Sequence, residues 1–228
     1  MSSLAGLVAE VIEDLKKYNV TNENTLDYEL IADKIVEANI SVLGKFYTSR
    51  LPLDGFYQIL SGLSVTCERD KFTIGAFVFT DKTVYYKADI PPLVKTIGYS
   101  NIKYFGMAGW DKNLSRLDLL DFVSRKHARY SSELPIYTLL GDILIAKNVP
   151  EGFSAAVGAF ILEDPRTAPG WDDQTSNFPT ASVEAVKIIV KNAITGTPLI
   201  PDLVGGVTTS AQGQGVPKPS KPQAEDDS

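Results

Sequence analysis

Apolar residues recur every three or four positions at the start of the chain, which is the spacing of an amphipathic helix. This stripe predicts a helix over residues 4–18, and Ser3 is placed to cap it. An isolated helix of this kind is marginal in water, so its apolar stripe needs a partner surface. We therefore take the following residues as interface candidates: Leu4, Val8, Val11 and Leu15.

A second apolar stripe spans residues 30–46 and predicts another helix, which ends before Pro52. From residue 64 the pattern changes, because Val, Thr, Phe and Tyr become frequent in a way that suits strands. Strands are predicted over residues 64–69, 74–80 and 83–87, with residues 97–107 as a further strand or an irregular crossing.

The middle of the chain carries one more helix signal and the clearest hairpin signal. Ser115 opens a capping-box-like pattern, which predicts a helix at this point. The apolar face of that helix consists of Leu117, Leu120 and Val123. A Gly-Asp pair between two strand-like runs predicts a tight hairpin. The strands predicted here cover residues 135–140, 143–147 and 155–162.

The order of elements along the chain indicates the fold class. Residues 163–177 are predicted to form a loop, and a short helix over residues 182–194 is stopped by Gly196. The class is α+β, with N-terminal helices, a mostly antiparallel β domain with an inserted helix, a short C-terminal helix and a polar tail. We predict an N-terminal helix over residues 1–20, an α+β core over 21–203 and a flexible polar tail over 204–228.

Charge and cysteine content narrow the classes of function. The chain has 22 Lys and Arg against 28 Asp and Glu, and its net charge of -6 argues against a general binder of nucleic acid or anionic membranes. A single cysteine, Cys67, allows neither an intrachain disulfide nor a cysteine zinc site. With no signal-peptide pattern and no apolar run of membrane length, we expect a soluble cytoplasmic protein.

The sequence offers little material for catalysis. Its one histidine, His127, lies in a basic segment with Arg125, Lys126 and Arg129. We interpret this segment as the solvated end of a helix, where basic residues are favoured by the helix dipole. The alternative is a small basic patch that grips an acidic neighbour, so the three basic residues are interface candidates. We name no catalytic residue, no metal ligand and no cofactor.

The loop over residues 163–177 is the most distinctive candidate for binding. Its prolines limit backbone freedom, Trp171 offers a large apolar anchor, and its acidic pairs can steer a basic partner. We predict a docking element whose interface candidates are Pro165, Trp171, Asp172 and Asp173. The alternatives are a small carboxylate-dependent hydrolase that uses Asp172 or Glu163, and a host-directed binding module.

Several short motifs resemble those of a known family. They are Ala32-Asp33-Lys34-Ile35, Ile90-Pro91-Pro92-Leu93, the hairpin before residues 157–162, Glu163-Asp164-Pro165, and Phe178-Pro179 ahead of a short helix. Together, over residues 27–197, they resemble connector proteins of short-tailed phages, above all the ring proteins below the portal in crAss-like phages. The first helix and the polar tail have no counterpart in this pattern.

The resemblance implies a non-enzymatic structural protein of the virion. About 12 copies would form a ring at the head-to-tail junction, bind the portal protein and contact neighbouring tail proteins. The protein would be made in the cytoplasm of a bacterial host. It would have no membrane partner, and it would contact DNA only as part of a channel lining. The family's motifs are not catalytic, so no active-site residue is carried over.

Overall fold

Helices and a curled sheet make up the fold, which a computed structural model describes for residues 2–17, 27–69, 72–74, 77–79, 84–124 and 134–196. The described helices are α1 (Leu4–Lys17), α2 (Tyr28–Thr48), α3 (Leu119–Ser124) and α4 (Val183–Thr195). The strands are β1 (Gln58–Glu68), β2 (Phe72–Ile74), β3 (Phe77–Phe79), β4 (Tyr85–Asp89), β5 (Ile102–Met107), β6 (Ser115–Arg116), β7 (Ile136–Leu140), β8 (Ile143–Lys147) and β9 (Ala155–Phe160). The predicted α+β class, with helices at the N-terminus, is confirmed.

The main sheet has the strand order β5-β9-β1-β4-β8-β7-β6, and β2 and β3 form a two-stranded sheet. Its neighbours are antiparallel except for β6 and β7, which run parallel. The predicted hairpin is present as β7 and β8, joined at Gly141, which has a φ of 61°. In a mixed sheet of this kind, two strands joined by a hairpin are close in sequence, whereas other paired strands come from distant segments of the chain.

Strand β1 holds the two halves of the sheet together. Its first half pairs with β9 and its last residues pair with β4. The register with β9 shifts between Ser61 and Leu63, where Gly62 has a φ of 71°. A bulge of this kind reverses the alternation of side chains, and glycine adopts such a φ without steric cost. As a result Leu60 and Leu63, which a regular strand would point to opposite faces, both lie in the same core.

The sheet curls until its two edges are joined. At one edge, Asn113 forms a bridge with Gly106, and the amide of Leu114 donates to the carbonyl of Phe105 at 2.9 Å. The next two residues form β6, which pairs with β7 at the other edge. Inside the curl lies an apolar core, whose largest buried members include Tyr86, Phe105, Tyr137, Leu144 and Phe160.

Helices α1, α2 and α4 pack together and form a second core with the segments that follow β4 and β9. The predicted stop of the last helix at Gly196 is confirmed, and the structure adds a cap at its start. The Ser182 hydroxyl accepts from the amide of Ala185, and Gly196 ends the helix with a φ of 68°. The buried residues of the helical core include Ile31, Ile35, Val42, Val186 and Val190.

The apolar stripe of α1 belongs to this internal core, which corrects its interpretation as an interface between molecules. The four candidates are at most 1% exposed: Leu4, Val8, Val11 and Leu15. Their partner surface is supplied by α2 and α4 of the same chain, so a second molecule cannot reach them in this fold. The sequence predicted that the stripe needs a partner surface. It did not predict that α2 and α4 supply this surface, because these are tertiary contacts that the stripe does not encode.

The predicted start of the third helix, at Ser115, is wrong. Residues Ser115 and Arg116 form β6, because the amide of Ser115 donates to the carbonyl of Pro135 and the strand pairs with β7. The helix begins at Leu119, and the Asp118 carboxylate accepts from the amide of Asp121. Leu120, which was assigned to the buried face, is 80% exposed.

The strands lie near the predicted positions, but their ends differ from the predicted ones. Strand β1 begins at Gln58, ahead of the predicted start at residue 64, and the predicted strand over 74–80 is divided between β2 and β3. The predicted polar tail and the basic segment around His127 lie outside the described residues. No helix in the part of the chain that the structure describes has the length and apolar character needed to cross a membrane.

We expect Val8→Asp to destabilise the fold by about 3 to 5 kcal/mol, because it places an unpaired carboxylate in a fully packed core. Urea unfolding followed by circular dichroism measures the change. The matched control is Ala9→Asp, since Ala9 is its exposed neighbour on the same helix. Equal stability of the two variants would contradict the placement of the α1 stripe in the core.

Candidate functional site

The loop over residues 163–177 is the predicted site that the structure places at the surface. Its backbone is held at several points. Ala5 at the start of α1 donates its amide to the carbonyl of Asp173 at 2.9 Å, and Ser3 forms a bridge with Asn177. On the other side Glu163 donates its amide to the carbonyl of Pro92 at 2.9 Å. The loop is therefore attached both to α1 and to the segment that follows β4.

Arg166 clamps the beginning of the loop onto α2. Its Nε donates to Oδ1 of Asp164 at 3.1 Å, and its Nη2 donates to Oδ2 of Asp164 at 2.8 Å. Nη2 also donates to Asp33 on α2 at 2.7 Å, and Glu29 lies 3.9 Å from Nη1. These contacts, led by the hydrogen bond from Asp164, raise the pKa of Arg166. A bidentate pair fixes geometry as well as charge, so this end of the loop has a defined position.

Asp173 holds the other end of the loop with both oxygens of its carboxylate. Oδ1 accepts from the indole Nε1 of Trp171 at 2.6 Å, and Oδ2 accepts from the hydroxyl of Tyr28 at 2.9 Å. Burial, with the adjacent Asp173, raises the pKa of Tyr28 to about 12. Trp171 is half-buried and packs against the helical core. It is therefore partly a structural residue, and only part of its surface is left for a partner.

The remaining acidic candidates also take part in the loop's own structure. Asp172 is exposed, but its Oδ1 accepts from the amide of Gln174 at 2.8 Å, and its own amide donates to the Ser176 hydroxyl at 2.9 Å. This is an Asx turn, which stabilises the local backbone. Pro165 is buried at the start of a 3-10 turn, so it shapes the loop from within.

A groove of about 500 Å³ lies between this loop and the start of β1. One wall consists of residues 168–171 and 175–177, and the other of the segment that leads into β1. Ile59 lines the groove and is 70% exposed, which makes it the most exposed aliphatic side chain of the main sheet described here. Gln58 donates to the carbonyl of Pro165 at 3.3 Å, which ties the two walls together.

Asp54 gives the rim of the groove an acidic residue that is paired with a base. Its carboxylate accepts from Lys103, and this hydrogen bond raises the pKa of Lys103. The same Lys103 ammonium lies 5.7 Å from the centre of the Tyr57 ring, and the Tyr57 hydroxyl donates to the carbonyl of Ser100 at 2.7 Å. The wall formed by Tyr57 and Asp54 is therefore as firmly held as the loop opposite.

Sequence reasoning identified one wall of this groove and missed the other. Trp171 was predicted as a binding residue, whereas Ile59 and Gln58 were not, because the strand was predicted to start after them. A longer strand would have been suggested by the apolar residues at positions 59, 60 and 63. The bulge at Gly62 breaks their alternation, so the pattern does not read as a strand.

The arrangement is suited to binding more than to proton transfer. The carboxylates named above act as acceptors for tyrosine, tryptophan, arginine and backbone amides, and a general base needs a free acceptor that faces a substrate. The described ranges contain no group of three His, Cys, Asp or Glu residues that could hold a metal ion. The basic candidates Arg125, Lys126 and Arg129 lie outside the described residues, as does His127.

Comparison with known proteins found no family model and no curated protein that matches this chain. What the site can do is therefore inferred from its geometry: a firmly held loop, a tied opposite wall and one strongly exposed aliphatic side chain.

We expect Tyr28→Phe to lower the free energy of unfolding by about 1 kcal/mol at neutral pH, because it removes the hydrogen bond to Asp173. A tyrosine with a raised pKa stabilises the fold fully below its unfolded value of 10.0, and this stabilisation is lost as the pH rises to about 12. The difference between wild type and Tyr28→Phe should therefore shrink over that range. Urea unfolding across pH measures it.

The control for this experiment is Tyr47→Phe, since Tyr47 is 42% exposed on α2. This variant should match the wild type at neutral pH. A Tyr28→Phe difference that stays constant up to pH 12 would show that ionisation of Tyr28 is not coupled to the loop.

Proposed function

We propose that this protein is a virion structural protein, an oligomeric ring or adaptor that joins portal and tail components of a phage particle. The observation that supports a structural role is the preformed groove between the loop over residues 163–177 and β1. The assignment to a phage rests on the resemblance of the short motifs to ring proteins of crAss-like phages. No catalytic step is proposed.

Rigidity of the groove favours binding. A loop that becomes ordered on binding loses conformational entropy, which weakens the affinity. Because Arg166 and Asp173 already hold this loop, its loss of entropy on binding is small. The chain thus places a defined shape at its surface without the need for a partner to form it. This is the property expected of an adaptor, whose contacts must be the same in every copy.

Ile59 is the side chain around which a partner would pack. Burial of exposed apolar surface contributes about 25 cal/mol per Å², so an aliphatic side chain in a groove is a favourable anchor. Asp54, which is paired with Lys103, lies on the wall that leads into β1, and the exposed Asp172 follows Trp171 of the other wall. The partner that fits is a neighbouring protein of the particle which presents an apolar side chain next to basic ones.

A ring of identical subunits requires a heterologous contact, in which one face of a subunit binds a different face of the next. The groove is a concave face of this kind. In the ring that we propose, it receives either the next copy or the portal protein. DNA would be contacted only where the ring lines a channel, and no membrane contact is proposed.

The two alternatives have less support from the geometry. A carboxylate-dependent hydrolase would use Asp172 or Glu163, but the Asp172 side chain already holds the loop's turn. The neighbouring Asp173 accepts hydrogen bonds from Trp171 and Tyr28, so its carboxylate is also occupied. A host-directed binding module could use the same groove, and only the location of the protein separates it from an adaptor.

The first test is mass spectrometry of particles purified from an infected culture. We expect the protein in particles at a fixed stoichiometry, as a closed ring requires, and the resemblance to ring proteins implies about 12 copies. Absence from particles, together with presence in infected-cell lysate, would contradict the proposal and favour a host-directed protein. A broad hydrolase assay on the purified chain tests the enzymatic alternative. Turnover by the wild type that is lost in Asp172→Asn would favour a carboxylate-dependent hydrolase.

The second test concerns the groove itself. We expect Ile59→Asp to reduce incorporation into particles at least about tenfold, because it places a charge where a partner must be desolvated, while it leaves stability nearly unchanged. Incorporation is measured by quantitative mass spectrometry after complementation. The matched control is Val78→Asp, a β-branched strand residue that is 54% exposed and does not line the groove.

Normal incorporation of the Ile59→Asp variant would show that this groove is not an assembly surface. Equal loss in both variants would show a general effect of added charge. Thermal unfolding of the purified variants, with melting temperatures close to the wild type, separates a defect in assembly from a defect in folding.

A further inference from the structure

A second cleft opens where the two edges of the curled sheet are joined, next to β6. Its volume is about 280 Å³, and it shares no residue with the groove at Ile59. The charged residues that line it are Lys95, Arg116 and Asp118. Its other walls include Tyr99, Leu119 and Thr138.

Arg116 is held in a fixed orientation in this cleft. Its Nη1 donates to the carbonyl of Tyr99 at 3.1 Å and to Oδ1 of Asn101 at 3.0 Å. The guanidinium carbon lies 4.5 Å from the centre of the Tyr99 ring. Asn101 is itself buried and donates to the carbonyl of Val94 at 3.2 Å, so its oxygen is turned toward the arginine. The guanidinium plane is therefore set before any ligand arrives.

This guanidinium has no anionic partner among the residues that the structure describes. Its acceptors are the backbone carbonyl of Tyr99 and the amide oxygen of Asn101, both neutral. Burial lowers the pKa of Arg116, whereas the carboxylates around Arg166 raise the pKa of that residue. Within the described residues, Arg166 is thus partly buried and paired with carboxylates, whereas Arg116 is partly buried and has only neutral acceptors. A partly buried charge without a counterion is costly unless something else supplies it.

Two further polar atoms in the lining residues lack a partner in the described structure. The Nε of Arg116 is buried and makes no hydrogen bond. The hydroxyl oxygen of Thr138 is likewise unpaired, and the residue is 0% exposed. Buried polar groups are paired in the great majority of cases, so two orphans in the lining of one cleft point to a missing partner.

We propose that this cleft binds a carboxylate. Arg116 and Lys95 contribute two positive charges and Asp118 one negative charge, which leaves one net positive charge for a ligand to neutralise. A carboxylate is a monoanion with two oxygens, and a planar guanidinium recognises that shape. A phosphate, which carries close to two charges at neutral pH, would be left with an excess negative charge beside Asp118. This inference is independent of the phage assignment.

The test is a titration of the full, ¹⁵N-labelled chain with sodium acetate, followed by NMR at an ionic strength held constant with sodium chloride. We expect saturable shifts of the amides of Tyr99, Arg116 and Leu117, with an affinity at least about tenfold higher for acetate than for inorganic phosphate. Absence of a saturable shift with acetate would overturn the proposal. Binding of phosphate that is as tight as that of acetate would overturn the carboxylate assignment.

Variants tie the binding to the cleft. We expect Arg116→Gln to abolish the saturable shift, and Lys95→Gln, at an exposed position, to weaken binding about threefold. If Arg116→Gln fails to fold, Lys95→Gln still tests whether acetate binds in this cleft, because Lys95 is exposed. The matched control is Lys112→Gln, which removes an exposed lysine beside Trp110 and outside the cleft. Unchanged affinity in Lys95→Gln, or equal weakening in Lys112→Gln, would count against the site.

A final arm identifies the source of the carboxylate. The capped tripeptide Ala-Glu-Ala carries a single side-chain carboxylate, and its apolar atoms can contact Tyr99, which is 64% exposed, and Leu119. Tighter binding of the tripeptide than of acetate supports a carboxylate presented by a protein. Tighter binding of acetate supports a free small acid.

Discussion

The bend of β1 at Gly62 is the constraint on which both candidate surfaces depend. One strand pairs with β9 before the bend and with β4 after it, so it belongs to both halves of the sheet. The bulge increases the local twist, and the sheet can then curl until residues 113–116 join its edges. The groove lies beside the residues that precede the bend, and the cleft lies at the join. A side chain at position 62 would require a strained backbone, because the φ of 71° favours glycine.

Helices fill the outside of this arrangement and position the loop over residues 163–177. The amide of Ala5, at the start of α1, donates to the carbonyl of Asp173 in the loop, and α2 presents Tyr28 and Asp33 to the side chains of the loop. Burial of the α1 stripe is thus linked to the shape of the groove, although no residue of the stripe lines it. A change deep in the helical core would be transmitted to the surface through these few hydrogen bonds.

The contrast between two arginines shows how the same side chain serves different purposes. Arg166 satisfies its charge within the chain, and the result is a rigid loop. Arg116 is fixed by neutral acceptors, and the result is an oriented charge that remains available. Neither role can be inferred from sequence. Asp164 is two residues from Arg166, but Asp33 is distant in sequence, and Tyr99 and Asn101 come to Arg116 only after the sheet has curled.

By itself the sequence determined the features that neighbours in the chain control. The amphipathic period of α1, the stop of α4 at Gly196 and the turn at Gly141 depend on residues a few positions apart, and all were predicted. The α+β class follows from their order. The tertiary structure decided what covers α1 and why Ser115 joins a strand and not a helix. It also decided that Ile59 faces outward while Trp171 is partly buried. Each of these outcomes depends on contacts between distant segments, whose energies exceed local preference and leave no period in the sequence.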